Sequence, residues 1–438
     1  MRNKHREALI AKRHDLIPGA AHTYSKGDDQ FPENAPKVML RGKGAYVWGE
    51  DEKKYLDWCM GLRSVSLGHC YPAVNNAVTK QMKEGTNFGR PHISEYEFAD
   101  LLIKTIPNVE MVKYAKNGST VTTAATKLAR AYTGRKYIAL CVNHPFFSYD
   151  DWFIGTTSLE SGIPKENTSL SLTFTYNDIG SLQKLFQDHP GEIACVMLEA
   201  VTTEEPKDDF LKKVEKLTKE QGAVFIIDEM ITGFRFDMKG AQHLYGLTPD
   251  LITFGKGVAN GYSLSFLGGR KDIMELGGIK HKKERVFLIS TTHGAETISL
   301  AAATATIKEM QQKKVQVHFW KMGGKLKTGL EKLIKKHQLE QYVGIVGFAP
   351  NLSTSFKDES GQASPLLRTI FLQEVIKRGI LFQGYFAISY SHKEAEIKKT
   401  LAVFDQALAV YKRALEDKEG RAGYLTGEVC KPVFRKFN

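Results

Sequence analysis

Four short apolar runs, 137-YIALCV-142, 193-IACVMLEA-200, 223-AVFIID-228 and 250-DLITF-254, restrict the folds open to this chain more than any other feature. They alternate with amphipathic helical stretches, the pattern of a parallel sheet covered by helices, and so predict an α/β protein. Between the second and third runs, 208-DDFLKKVEKLTKEQG-222 places Phe210, Leu211, Val214 and Leu217 on one helical face and stops at Gly222, completing a βαβ unit. After about residue 305 the chain becomes helix-rich and lysine-rich, which predicts a smaller C-terminal domain joined by a helix near 298–335.

With 438 residues, one large domain and a smaller companion are expected. A hydrophobic share of 42% with 25% charged residues excludes a disordered or fibrous chain. Lys and Arg number 61 against 49 Asp and Glu, a net charge of +12 that raises the question of nucleic acid or phosphorylated partners. The lysines, however, lie in mixed-sign runs such as 394-EAEIKK-399, which read as solvated helix faces, while an anionic small substrate stays compatible with the excess. The N-terminal MRNKHREALIAKRHDLIPG has no continuous apolar stretch, so no secretory signal is expected. No apolar run approaches the roughly 18 residues of a membrane span. Five cysteines without C-x-x-C spacing suggest neither a disulfide framework nor a zinc site. A reduced, cytoplasmic protein that binds no metal, nucleic acid or membrane is expected.

The run 223-AVFIIDEMITGFR-235 ends its strand in Asp228 and Glu229, and ligands of open α/β sheets gather at the carboxyl ends of strands. Alone, Asp228 could equally cap the next helix. The following strand, in 250-DLITFGKGVANG-261, emerges into Gly255-Lys256-Gly257, with the lysine 28 residues on (256 − 228 = 28). A lone lysine reads as a solvated loop cation. Glycines on both sides let the backbone and a flat cofactor approach closely, for which a solvated lysine has no use. Asp228 and Lys256 together therefore point to a pyridoxal-phosphate site, the lysine amine forming the Schiff base and the carboxylate pairing with the protonated pyridine nitrogen. A phosphate cradle is then needed. In 117-NGSTVTTAATKLARAYTGR-135, Ala124, Ala125, Leu128, Ala129 and Tyr132 mark the apolar face of a helix starting at Gly118-Ser119-Thr120. Backbone N–H groups and the helix dipole converge at such a start, and the Ser119 and Thr120 hydroxyls add donors. An ordinary Ser/Thr helix cap explains the same residues.

With these segments the chain resembles the class III, fold type I, pyridoxal-phosphate aminotransferases, and among them the glutamate-1-semialdehyde aminomutase-like branch. The resemblance also runs through 16-LIPGAAHTYSKGDDQFP-32, 42-GKGAYVWGEDEKKYLDW-58, 67-LGHCYP-72 and 290-STTHGAETISLAAA-303. It implies a mostly parallel seven-stranded sheet covered by helices, with a smaller α+β domain, in a homodimer. The domains would be an N-terminal segment 1–65 reaching the mouth of the site, a large cofactor-binding domain 66–305 and a small domain 306–438. It implies that Gly118 and Ser119, with Thr120 beside them, bind the phosphate and that Thr292 reaches it from the neighbouring subunit. Phe146 falls where the family stacks an aromatic ring on the cofactor, a plain core aromatic being the alternative, and Glu199 is the acid closing the preceding strand.

Departures bear on the substrate. The family word tyrosine, histidine, glycine is replaced by Phe146, Phe147, Ser148; an arginine that holds the substrate carboxylate in the aminomutases is replaced by Lys26; near their substrate tryptophan stand Leu62 and Arg63; and Glu296 stands where an asparagine is usual. Arg63 offers a planar fork for an anionic group of the substrate, with a surface salt bridge as the other reading. The activity implied is amino transfer from a donor, glutamate by resemblance, to a keto or aldehyde acceptor such as a sugar derivative of polysaccharide assembly. An intramolecular aminomutase is the first alternative and a non-catalytic binding protein of the same fold the second, although such a scaffold has no need of Lys256 and Asp228.

Overall fold

The computed structural model describes residues 2–142 and 146–437. The chain divides into two compact units, a larger one of Arg63–Leu67 and Tyr71–Gln316 and a smaller one of Met1–Leu62, Gly68–Cys70 and Val317–Asn438. The smaller unit opens with β1 (Met39–Lys43), β2 (Tyr46–Gly49) and β3 (Lys54–Asp57). The larger contains β4 (Met111–Ala115), β5 (Tyr137–Cys141), β6 (Ser171–Phe174), β7 (Ile193–Glu199), β8 (Val224–Glu229), β9 (Leu251–Phe254) and β10 (Ser265–Gly269). The smaller unit then resumes with β11 (Val343–Phe348), β12 (Asn351–Phe356), β13 (Ile380–Leu381) and β14 (Tyr385–Ala387).

Seven strands of the larger unit form one sheet in the order β4-β10-β9-β8-β7-β5-β6. The pairs from β6 to β9 are parallel, whereas β10 runs antiparallel to both β9 and β4. Every residue of β7 and β8 is buried. Helices on both faces leave such strands no polar side, which is why the sequence shows unbroken apolar runs there instead of alternation. The crossover helix Phe210–Glu220 buries Phe210, Leu211 and Val214 and is followed by Gly222 at φ 65°, while Leu217 is only half-buried. The helix Gly118–Thr133 lays Val121, Ala124, Ala125, Leu128 and Ala129 against the sheet, in one core with Ile138, Leu140, Met197, Ile226 and Leu267. Tyr132, expected on that apolar face, is instead 39% exposed and donates its hydroxyl to Asp272 at 2.9 Å. The register decides what the sheet presents: Glu199 of β7 lies beside Asp228 of β8, and Asp228 beside Thr253 of β9.

The smaller unit holds a four-stranded sheet, β1-β2-β3-β13, and a three-stranded one, β11-β12-β14, with the helices Pro365–Lys377 and Glu394–Glu416. At its centre the buried Trp58 stacks on His392 with ring centroids 4.0 Å apart and donates its indole N–H to Thr400 at 3.0 Å. The single helix expected near 298–335 is two, Thr297–Lys313 and Val315–Lys336. Lys314 between them is left-handed at φ 49°, which breaks the run of helical hydrogen bonds.

Candidate active site

Lys256 begins a short 3-10 turn, Lys256–Ala259, immediately beyond the end of β9 and is left-handed at φ 40°. A lysine gains nothing from this conformation, which costs about 1 kcal/mol and persists where the surroundings hold it, as at ligand sites. A Cβ on Gly255 would stand 2.6 Å from Met230 Sδ and 3.3 Å from Ser265 Cβ, and one on Gly118 would stand 2.9 Å from the same sulfur. Gly255 and Gly118 thus both stand against the Met230 side chain. At Gly257 a Cβ would meet only ordinary contact, 3.6 Å from Ser66.

Asp228 is fully buried, and its two oxygens differ. Oδ1 accepts the Met230 N–H and the Thr253 hydroxyl, each at 2.9 Å. Oδ2 accepts no hydrogen bond among the described residues. Asp228 therefore does not cap the next helix. Its neighbour Glu229 does, accepting the N–H of Gln242 at 2.8 Å and of Ala241 at 2.9 Å at the start of the helix Ala241–Leu244. A buried carboxylate oxygen without a donor is costly, and a protonated ring nitrogen is the kind of group that removes the cost.

Burial governs the charges here. It raises Asp228 to about 6 against the opposing Met230 N–H, Lys256 and Thr253. Glu199 is raised to about 8 by burial and by the Asp228 charge, with Lys256 and Arg63 opposing. Glu229 is raised to about 7, again by burial first. The Lys256 amine is lowered by burial, with Arg63 and Arg235 adding to the fall and Glu199 and Asp228 resisting it. Close carboxylates at the ends of adjacent strands thus avoid carrying full charge together, beside an amine biased toward its neutral form.

The helix Gly118–Thr133 is capped by Asn117, whose Oδ1 accepts the Thr120 N–H at 2.9 Å and the Thr120 hydroxyl at 3.1 Å. Neither Ser119 nor Thr120 is the cap, and the Thr120 hydroxyl donates to Asn117 Oδ1. Ser119 Oγ accepts the Tyr149 N–H at 3.0 Å, which leaves its own proton to be donated. Phe147, not Phe146, is the core aromatic: Phe147 is 2% exposed, whereas Phe146 is 42% exposed and meets Phe153 edge-on. The residues 143–145 that open this segment lie outside the described ones.

Arg63 is half-buried in the larger unit, and its charge acts on Glu199 and Lys256. Its carbonyl accepts from the buried Arg235 guanidinium at 3.0 Å. Thr292 is exposed, its carbonyl accepting from Asn87 Nδ2 at 3.2 Å. Lys26 is exposed and belongs to the smaller unit. The larger unit therefore brings together Lys256, Asp228, Glu199 and Arg63. Sequence reasoning missed Thr253, Met230 and Arg235. A threonine inside the apolar run DLITF and an arginine amid 231-ITGFRF-236 were the available signals, since a polar group in a buried stretch needs a partner.

Comparison with known proteins accords with this geometry. The family model Aminotransferase class-III matches residues 29–408. A glutamate-1-semialdehyde 2,1-aminomutase of Alkaliphilus metalliredigens is 29% identical over 429 residues, 92% of this chain and 95% of that protein. Two solved structures superpose closely: the FumI protein of Sphingopyxis sp. MTA144 in its PLP internal aldimine form, with TM-score 0.85, 24% identity and 94% and 97% of the two chains covered, and an omega-transaminase of Sphaerobacter thermophilus, with TM-score 0.84, 22% identity and 93% and 97% covered. The expected fold type I architecture is the one observed.

Proposed function

Because this chain belongs to the class-III aminotransferase family, we propose that it is a pyridoxal-phosphate enzyme in which Lys256 holds the cofactor and Asp228 holds the pyridine nitrogen in its protonated form. The observation that carries this reading is the buried Asp228 Oδ2, which accepts no hydrogen bond among the described residues while Oδ1 is doubly bonded. Bound pyridoxal phosphate supplies an electron-withdrawing ring that stabilises the electron pair left when a proton leaves the carbon bearing the amino group.

This chain's residues divide the remaining work. Asp228 keeps a proton on the ring nitrogen and so keeps the ring withdrawing. Lys256 Nζ, lowered by burial, is suited to move a proton between the donor carbon and the cofactor carbon. Glu199, raised to about 8, retains its proton at neutral pH and spares Asp228 a second negative charge. The N–H groups at Gly118 and Ser119, with the Ser119 hydroxyl, face the cofactor phosphate at a helix start. The exposed Phe146 ring is free to stack on the cofactor face, and Thr292 reaches a phosphate across a homodimer interface. Arg63 holds the anionic end of a donor such as glutamate.

The same groups serve an intramolecular shift, the reaction for which the Alkaliphilus relative is named. The two readings differ in whether a keto product leaves the site. The five cysteines form no disulfide among the described residues, which supports a cytoplasmic setting, and no helix among the described residues is long and apolar enough to cross a membrane.

Borohydride reduction of the yellow protein, followed by peptide mapping, is expected to fix the cofactor on the peptide containing Lys256; label on another lysine overturns the assignment. A screen of amino donors follows, read by bleaching of the yellow absorption and release of a keto acid. Release of a keto acid identifies a transaminase, and conversion of an amino aldehyde without release identifies an aminomutase.

A further inference from the structure

The strip of chain from Phe146 to Asp150 lies along the first two turns of the helix Gly118–Thr133, and three hydroxyls of that helix fasten it. Ser119 Oγ accepts the Tyr149 N–H at 3.0 Å, Thr122 Oγ1 donates to the Phe147 carbonyl at 2.9 Å, and Thr123 Oγ1 bonds the Asp150 carboxylate. Thr123 Oγ1 also accepts the Trp152 indole N–H at 2.8 Å and lies 3.3 Å from Ser148 Oγ, which in turn accepts the Asp150 N–H at 3.0 Å. Counting donors fixes the protons of this cluster. A carboxylate only accepts and an indole N–H only donates, so the Thr123 proton goes to Asp150 and Ser148 is the donor in its contact with Thr123.

Ser148 and Asp150, the residues on either side of Tyr149, both converge on the Thr123 hydroxyl. Thr123 stands one helical turn beyond Ser119 on the same face (123 − 119 = 4). The Tyr149 N–H is thereby held against Ser119 Oγ. That bond occupies a lone pair of a buried hydroxyl and turns its proton away from the strip. The other end of the strip is held independently of Thr123. Phe147 is buried edge-on against Phe153, with its carbonyl on Thr122, so Phe146 keeps its place when the Tyr149 end is loosened.

We infer that Thr123, braced by Asp150, is a positioning residue that aims the Ser119 hydroxyl at the cofactor phosphate through the Tyr149 N–H. The inference rests on the proposed function, in which Ser119 donates to that phosphate. The Thr123 hydroxyl itself is spent on Asp150, Ser148 and Trp152. Without it the two neighbours of Tyr149 lose their common anchor, the Tyr149 N–H no longer fixes Ser119, and the serine proton is no longer held toward one acceptor. A hydrogen bond to a charged phosphate is stronger than one between neutral groups, so misdirecting it is felt in binding. Asp228 and Lys256, which hold the ring, stay as they are. Thr123 accordingly contributes to recognition of the phosphate and not of the pyridoxal moiety.

The test uses the purified protein freed of cofactor and titrated by absorbance with pyridoxal 5'-phosphate and, separately, with pyridoxal, which lacks the phosphate. Thr123→Val keeps the shape and loses the hydroxyl; Thr123→Ser keeps the hydroxyl; Asp150→Ala removes the brace at a half-buried position whose side chain caps no helix. Thr123→Val, Asp150→Ala and Ser119→Ala are each expected to weaken pyridoxal 5'-phosphate about ten-fold, and Ser119→Ala combined with Thr123→Val no more than Ser119→Ala alone. Pyridoxal affinity is expected to stay at the wild-type value throughout, and Thr123→Ser to bind the phosphate ester like the wild type. Equal losses for both ligands, additive losses in the double variant, or unchanged phosphate-ester affinity in Thr123→Val each overturn the inference. Should Thr123→Val not fold, Asp150→Ala decides by the same comparison. A wild-type protein that binds neither ligand overturns the proposed function and this inference with it, whereas intact wild-type binding with indifferent variants overturns the inference alone.

Discussion

Replacing Asp228 with asparagine separates the chemical role of this residue from its structural one. The swap preserves shape, and the asparagine Oδ1 can keep the bonds from Met230 and Thr253 at 2.9 Å. The amide nitrogen then occupies the place of Oδ2, presenting a donor where an acceptor stood, and so favours an unprotonated ring nitrogen. Two unit charges in hydrogen-bond contact at the margin of a protein interior attract by about 4 kcal/mol, which corresponds to a roughly thousandfold slower amino transfer. The stability of the cofactor-free protein should move the other way. Burial raises Asp228 from 3.8 to about 6, so the folded state holds the proton more tightly than the unfolded state. An acid raised in this way opposes folding above its folded value, and stability is regained as pH falls through about 6. At 1.36 kcal/mol for each tenfold change in proton affinity, the penalty is about 3 kcal/mol at neutral pH. Urea unfolding of cofactor-free protein at pH 7.5 should find the Asn variant at least as stable as the wild type, and its stability should depend less on pH between 5 and 7.5. Single-turnover kinetics with a good donor supply the second measurement. An Asn variant that reacts near the wild-type rate, or that is less stable without cofactor by more than about 1 kcal/mol, refutes the reasoning.

Thr292→Val is expected to weaken cofactor binding several-fold, as loss of one hydrogen bond to a charged group implies, and sedimentation should show a dimer as the smallest active species; a fully active monomer excludes the assignment. Arg63→Lys keeps the charge and loses the fork, so KM for an acidic donor should rise about ten-fold with the cofactor spectrum unchanged. If Arg63→Ala leaves the kinetics of every accepted donor and acceptor untouched, the residue belongs to the surface. Leu128, fully buried in the core between helix and sheet, should cost about 3 kcal/mol as Leu128→Ala, read as a lower urea midpoint with unchanged slope.

The apolar runs that became β5, β7, β8 and β9 were legible because strands covered on both faces have no choice but to be apolar, and the same logic located Asp228 and Lys256 at strand ends. The class and the principal pair of the candidate site could be read from the sequence alone, since both depend on local pattern and chain order. What the chain order could not contain was decided by packing. The antiparallel β10 is inserted between β4 and β9, and its pairing with β4 joins segments well over a hundred residues apart. Only the folded register lays Glu199 and Thr253 on either side of Asp228, and only burial raises the two acids and lowers Lys256, because desolvation depends on what surrounds a group and not on its neighbours in the chain. Gly255 stands against the Met230 sulfur, and the partner of Glu296 is Lys116, 180 residues earlier. Periodicity along a chain records which face of an element is covered; it carries no record of which distant atom does the covering.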